Sequence, residues 1–478
     1  MLRSGNGGFG FWRNPTTGCG FALLAAIAVF GNFYPNHFLV ADETIYFDQA
    51  MAWSAGARTL QHCPPCPGAC TADLPGDYPA GTALLAVPFL WLIGPSGVFW
   101  CGLTAWLAGI WGIFRALAAA KKDALWAVYP WFFLPGIILT RTLMSDLPGF
   151  ALAALFIWGY SNGVRKPICH FGAGAAAGLS LLFRETNLLW ALPFLLSASV
   201  RKTPERRLLW AGFGVGLLPR LVSGWVLYGH PLYIRDPGIS FSISHLPGQL
   251  GLYFLVLLVV APGGLYLLWK SSWRYRVETW ATIGLYLAVY GCYGYDALAK
   301  SGYKGLILQA RYLLPLLPLL SLAAAHSSVG LARLVGWKRA SIPVLAGGLF
   351  IAVQWLGWRY NNEQQKFTSA LYALPAQRHI SFSPDESRKY INALYGPGVV
   401  FDDTALSLHL LTCDSVWYLH QISRAESADR RMKAQTGLQR VQAAFRDSLP
   451  LPLIDQHLLD GAWLRIWKWK NPDYSPPH

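Results

Sequence analysis

Charge is what this sequence has least of. Only 13% of its 478 residues are Asp, Glu, Lys or Arg, where soluble proteins carry about a quarter, and that shortage excludes a water-soluble globular protein of this length. No long tandem repeat or low-complexity tract appears, which removes the internal symmetry on which many transporter folds are built. A glycosylation sequon is missing too, because Asn14-Pro15-Thr16 is blocked by its proline. The glycine run Gly5-Asn-Gly7-Gly8-Phe-Gly10 matches a dinucleotide fingerprint by letter. With no strand before it and no βαβ unit after it, it reads as a flexible tail.

What the chain does have is apolar length. Hydrophobic residues make up 54%, room for about ten or more crossings at roughly 20 residues each. Runs near 19–38, 97–117, 124–140, 147–162, 168–183, 187–200, 208–228, 251–269, 277–295, 312–328 and 341–358 give about eleven spans on a window of roughly 19 residues. A cleaved signal peptide is the alternative for the first run, with Ala26-Ile27-Ala28 inside it but no A-x-A site at its end. The segment 78–94 is apolar as well, yet its prolines at 79, 88 and 95 suit a re-entrant or interfacial helix better than a crossing.

Alternating the spans places 17 of the 25 basic residues before position 359 on one side and nine of the twelve acids on the other, which makes the basic side cytoplasmic. The net charge of +15 is therefore topology and no footprint for nucleic acid. The expected architecture is an all-α polytopic membrane domain over 1–358, with a first outer loop at 39–96. A small exported α/β domain follows over 359–478, in which Gly398-Val-Val-Phe401 reads as a buried strand. Gly174-xxx-Gly178 and Gly212-xxx-Gly216 mark close helix contacts.

Carboxylates at the outer ends of membrane helices are costly unless paired or wet. Three groups occupy such ends: Asp42-Glu43 with Tyr46 after the first span, Asp146 after the third, and Arg184-Glu185-Thr186-Asn187 after the fifth. Any one acid reads equally as a solvated loop residue, but the set points to one rim-level cavity. Arg141, Arg184, Arg220, Arg235, Lys300, Lys304 and Arg311 run against the positive-inside bias, and a phosphate or diphosphate at the outer surface would account for them. Pairing with the outer acids or with lipid headgroups is the competing account.

In the first outer loop His62-Cys63-Pro-Pro-Cys66-Pro-Gly-Ala-Cys70 has zinc-ligand character. An oxidising exterior and a fourth outer cysteine, Cys413, favour disulfides instead. Cys19, Cys101, Cys169 and Cys292 read as inert core residues. Trp463, Trp467 and Trp469 suit core packing or stacking on a sugar.

The Asp42-Glu43 pair, the loop end Asp77-Tyr78-Pro79-Ala80-Gly81, Asp146, Arg184 with Thr186, and Arg311-Tyr312-Leu-Leu-Pro315-Leu-Leu-Pro318 together resemble the GT-C glycosyltransferases. Within them the chain is most similar to the protein mannosyltransferase and lipid A aminoarabinose transferase branch, over roughly residues 19–330. The resemblance implies inverting transfer of a sugar from a polyprenyl-phosphate donor to an acceptor hydroxyl on a glycan, lipid or protein, at the outer face of a bacterial inner membrane. On that analogy Asp42, beside Glu43, is the base, and Asp146 positions the acceptor or a divalent metal. Arg184 and Arg311 hold the donor phosphate with Lys300, Lys304 and Arg141, while Tyr46, Tyr78 and Glu185 line the cavity. No other cofactor is implied. The aminoarabinose transferases carry an Arg shortly after the Asp-Glu pair where this chain has Thr44 and Ile45, so the acceptor of that branch does not carry over. A transporter or flippase of lipid-linked intermediates is the rival class. It calls for charged or helix-breaking groups near the midplane, whereas here the charges crowd the rim.

Overall fold

The computed structural model describes residues 15–32, 38, 41–57, 60–62, 71–74, 78–133, 136, 139–163, 166–201, 206–234, 240–294, 309–327 and 355, and four strands at 379–381, 415–422, 454–457 and 463–470. The glycine run 5–10, the cysteines at 63, 66 and 70, Cys413, Lys300, Lys304, Arg235, the expected strand 398–401 and nearly all of the last expected span lie outside these residues. The chain divides into two compact units. The first contains Met1–Asn32, Pro79–Thr82 and Trp100–Trp355, and the second contains Phe33–Tyr78, Ala83–Phe99 and Leu356–His478.

In chain order the helices are α1 (Pro15–Asn32), α2 (Ala41–Ser54), α3 (Gly81–Ile93), α4 (Trp100–Ala119), α5 (Asp146–Asn162), α6 (Ile168–Ser180), α7 (Leu188–Val200), α8 (Arg206–Tyr228), α9 (Leu246–Val260), α10 (Gly264–Trp269), α11 (Arg276–Gly291) and α12 (Leu317–Ala325). Among the described residues two helical stretches are long and apolar enough to cross a bilayer unaided, Pro95–Ala119 and Arg206–Tyr228; at 1.5 Å per residue each exceeds the roughly 30 Å of hydrocarbon. Other apolar helices are shorter, among them Ile168–Ser180 and Arg311–Ala325.

The first unit is built around α5, whose residues are mostly buried. Gly109 of α4 lies against Phe150, which stacks on Trp106 at 5.0 Å between ring centres. On its other side α5 meets α6, and α6 meets α8 along a seam of small residues. A Cβ on Gly174 would stand 1.9 Å from the Leu209 carbonyl oxygen, and one on Gly212 2.0 Å from that of Phe171. Only glycine permits that approach, and it replaces the hydrophobic drive that lipid does not supply between helices. The outward face of α8 leaves Val222, Trp225 and Val226 exposed.

Three expected spans differ in the structure. The run at 124–140 is helical over Ala124–Phe132 as a 3₁₀ helix containing Pro130, a residue that deprives the α form of a donor. The run at 251–269 is broken between α9 and α10, where Gly263 adopts φ 68° after Pro262. The Tyr129 hydroxyl donates to the Pro262 carbonyl at 3.1 Å, so the break leaves that carbonyl satisfied. The run at 312–328 opens as a 3₁₀ turn, Arg311–Leu316, before becoming α12.

In the second unit a short antiparallel pair, β1 (Leu60–His62) and β2 (Thr71–Leu74), brackets the cysteine loop. β3 (His379–Ser381), β4 (Ser415–Ile422), β5 (Ile454–His457) and β6 (Trp463–Lys470) form a mixed sheet in the order β3-β4-β6-β5. β3 and β4 are parallel and the other pairs antiparallel, with Trp463, Trp467 and Trp469 opposite Ile422, Tyr418 and Val416 in register.

Candidate functional site

Asp146 opens α5 and is 3% exposed. Its placement in the first helical turn sets a carboxylate against the positive end of the helix dipole. One turn on, Gly149 lacks the Cβ that would otherwise stand 2.7 Å from the Asn187 side-chain oxygen. That gap lets the 3₁₀ turn Glu185–Asn187 press against α5, where the Asn187 amide donates to the Ser180 carbonyl at 3.0 Å. Arg184, extended just before the turn, is thereby delivered to Asp146.

Two guanidiniums converge on this carboxylate. Arg184 Nη1 donates to Oδ1 at 2.5 Å, and Arg311 Nε faces Oδ2 at 3.6 Å. Arg311 also donates to the Met144 sulfur at 3.6 Å and to the Tyr312 hydroxyl at 3.2 Å. Both arginines lie against the Tyr312 ring, Arg184 at 4.5 Å and Arg311 at 5.0 Å from its centre, which is cation–π range. Tyr312 stacks on Tyr290 of α11, with ring centres 5.1 Å apart and planes 11° apart. The Tyr290 hydroxyl shares a hydrogen bond of 2.9 Å with Thr186. Arg184 keeps 25% of its side chain exposed, so this buried cluster has a cationic group that an anion can reach.

The remaining predicted residues fall in different places. Glu185 pairs with Arg220 of α8 at 2.7 Å, and Arg220 also donates to the Tyr233 carbonyl. Arg141 is buried at 1% exposure in the turn before α5. In the second unit Asp42 and Glu43 occupy the first turn of α2, with Glu43 fully buried. The Tyr78 hydroxyl donates to Asp42 Oδ1 at 3.1 Å, and the Tyr78 carbonyl accepts from Gln49 at 3.1 Å. Tyr46 packs on Tyr78 at 5.0 Å between ring centres. Among the described residues no group of three or more His, Cys, Asp or Glu is arranged to hold a metal ion. His62 is described only as the end of β1, opposite Thr71.

At the opposite ends of the helices Glu278 of α11 is buried, paired with Arg201 at 2.7 Å and accepting from Ser197 at 2.6 Å. The ion pairs Asp146–Arg184, Asp146–Arg311, Glu185–Arg220 and Glu278–Arg201 each join residues that the alternation of spans puts on one side. Sequence reasoning missed Tyr290 and the Glu278–Ser197 contact. Nothing in the local sequence distinguishes that tyrosine from a packing aromatic.

No model of a protein family and no curated protein matches the sequence. Among solved structures the chain is similar to ArnT from Cupriavidus metallidurans, in a crystal structure bound to undecaprenyl phosphate (TM-score 0.57, 12% identity) and in one of the apo state (TM-score 0.57, 11% identity). Each match covers 96% of this chain and 99% of the ArnT chain. The two proteins share a fold over nearly their whole lengths.

Proposed function

We propose that the protein is a membrane glycosyltransferase that moves a sugar from a polyprenyl-phosphate donor to an acceptor hydroxyl, with inversion. The observation that carries this reading is the Asp146–Arg184–Arg311 cluster, buried at the helix ends and reachable through Arg184. The shared fold supports it, since ArnT is seen with a lipid phosphate bound. Arg184 and Arg311 hold the donor phosphate by charge-assisted hydrogen bonds, whose preorganised cations stabilise the departing group as the glycosidic bond breaks. Asp146 orients both guanidiniums. Asp42, held in place by the Tyr78 hydroxyl, takes the acceptor proton, a base contribution on the order of 10²- to 10⁴-fold. The membrane is that of a bacterial cell, and the chemistry takes place at its outer face.

The test is release of undecaprenyl phosphate from undecaprenyl-phosphate hexoses and pentoses by purified protein supplied with cell-envelope extract as acceptor. Asp42→Asn changes little in volume and removes the base, so turnover should fall by about 10²-fold or more with donor binding retained. Should Asp42→Asn turn over normally while Asp146→Asn is inactive, the base is Asp146. Full activity in both variants ends the glycosyltransferase reading.

A further inference from the structure

A guanidinium grips a phosphate through two parallel N–H bonds only when its plane faces the anion, and an unrestrained arginine gives up rotamer freedom to reach that pose. Here two arginines must be aimed at once, and their like charges push them apart. Asp146 bonds Arg184 closely and stands 3.6 Å from Arg311. Both guanidiniums also lie against one ring, Tyr312, which is itself stacked on Tyr290.

The arrangement closes on itself. Arg184 lies over Tyr312, Tyr312 stacks on Tyr290, Tyr290 bonds to Thr186, and Thr186 is two residues from Arg184 on the same turn. A tyrosine that only filled space would need no hydroxyl. This one spends its hydroxyl on the turn that carries the arginine.

We propose that Tyr290 is a positioning residue for the anion site, holding Arg184 and Arg311 in one shared orientation through its stack on Tyr312 and its bond to Thr186. This deepens the reading of that cluster as a lipid-phosphate site and rests on it.

The experiment titrates the full-length protein in detergent micelles with undecaprenyl phosphate and follows melting alongside. Tyr290→Leu removes the stack, and binding should weaken by about tenfold or more; because Tyr290 is buried melting falls as well, so the titration is run at a temperature where the variant is folded. Tyr290→Phe keeps the flat ring and loses only the bond to Thr186, so its binding should weaken by about threefold, well short of the Leu variant. Tyr290→Leu binding as tightly as wild type overturns the proposal and leaves the lipid-phosphate reading standing. Wild-type protein that does not bind undecaprenyl phosphate overturns both. If Tyr290→Leu does not fold, the cycle of Thr186→Val and Tyr290→Phe decides. Each should weaken binding by about threefold, and the double variant no further; additive losses, or none, overturn the proposal.

Discussion

Asp146 is asked to satisfy two arginines with one carboxylate, and the unequal distances show how it divides the task. Arg184 takes a close, charge-assisted bond, whereas Arg311 stands back at 3.6 Å and completes its contacts on Met144 and Tyr312. Removing the carboxylate leaves the buried Arg311 and the part-exposed Arg184 without their shared counter-charge. Asp146→Ala should therefore cost about 3 to 5 kcal/mol of stability, read as a fall in the denaturation midpoint. Arg311→Ala acts on the ligand instead. It should weaken undecaprenyl phosphate binding by about 10- to 100-fold, the loss of one charge-assisted partner worth roughly 1.5 to 3 kcal/mol, titrated at a temperature where melting shows the variant to be folded, since it too loses a buried charge. The three members of this cluster were legible in the sequence because charge is rare here and each sits where an apolar run ends. Tyr290 was not, because the chain has 22 tyrosines and one within a span carries no mark of its role. Its partner Thr186 is 104 residues away, a distance over which sequence periodicity says nothing.

Between elements, the α6–α8 seam shows what a short motif can and cannot announce. Gly174, Gly178, Gly212 and Gly216 were readable as contact residues from their spacing, and each would drive a Cβ to about 2 Å from backbone of the facing helix. Gly214 belongs to the same helix as Gly212 and Gly216 but has nothing within 4 Å. Gly174→Ala should then destabilise by about 1 to 3 kcal/mol through overpacking, while Gly214→Ala should be neutral or stabilising by up to about 1 kcal/mol through helix propensity. Melting both variants in one detergent checks the sign of each. The break between α9 and α10 was harder to read. Ala261-Pro262-Gly263-Gly264 carries turn-forming residues, but a hydropathy window averages over four positions and returns one continuous span. The 3₁₀ helix at 124–132 was hidden for the same reason.

Across the whole molecule, apolar length and the distribution of charge carried the fold class, and the ArnT likeness over 96% of the chain agrees with a helical membrane protein. The mixed sheet β3-β4-β6-β5 was less legible. β3 and β5 have only three and four residues, and β3, β4 and β5 are far apart in a region of ordinary composition, where alternation competes with helix periodicity. Sidedness is open to direct measurement. Ile243→Cys and a tail variant, Asp429→Cys, should react with an impermeant thiol reagent in intact cells above the wild-type background, and Pro204→Cys should react only after permeabilisation. Labelling at 204 from outside would reverse the alternation of spans.

Among the described residues the four ion pairs named above each join groups that the alternation of spans assigns to one face, and none spans the run of helix between the two ends. A carrier that moved an anionic headgroup across the bilayer would feel roughly 2.3 kcal/mol per charge for every 100 mV of potential. A transferase working wholly at one face feels almost none. In proteoliposomes clamped with potassium gradients and an ionophore, the proposed sugar transfer should run at the same rate whether the voltage is zero, positive or negative.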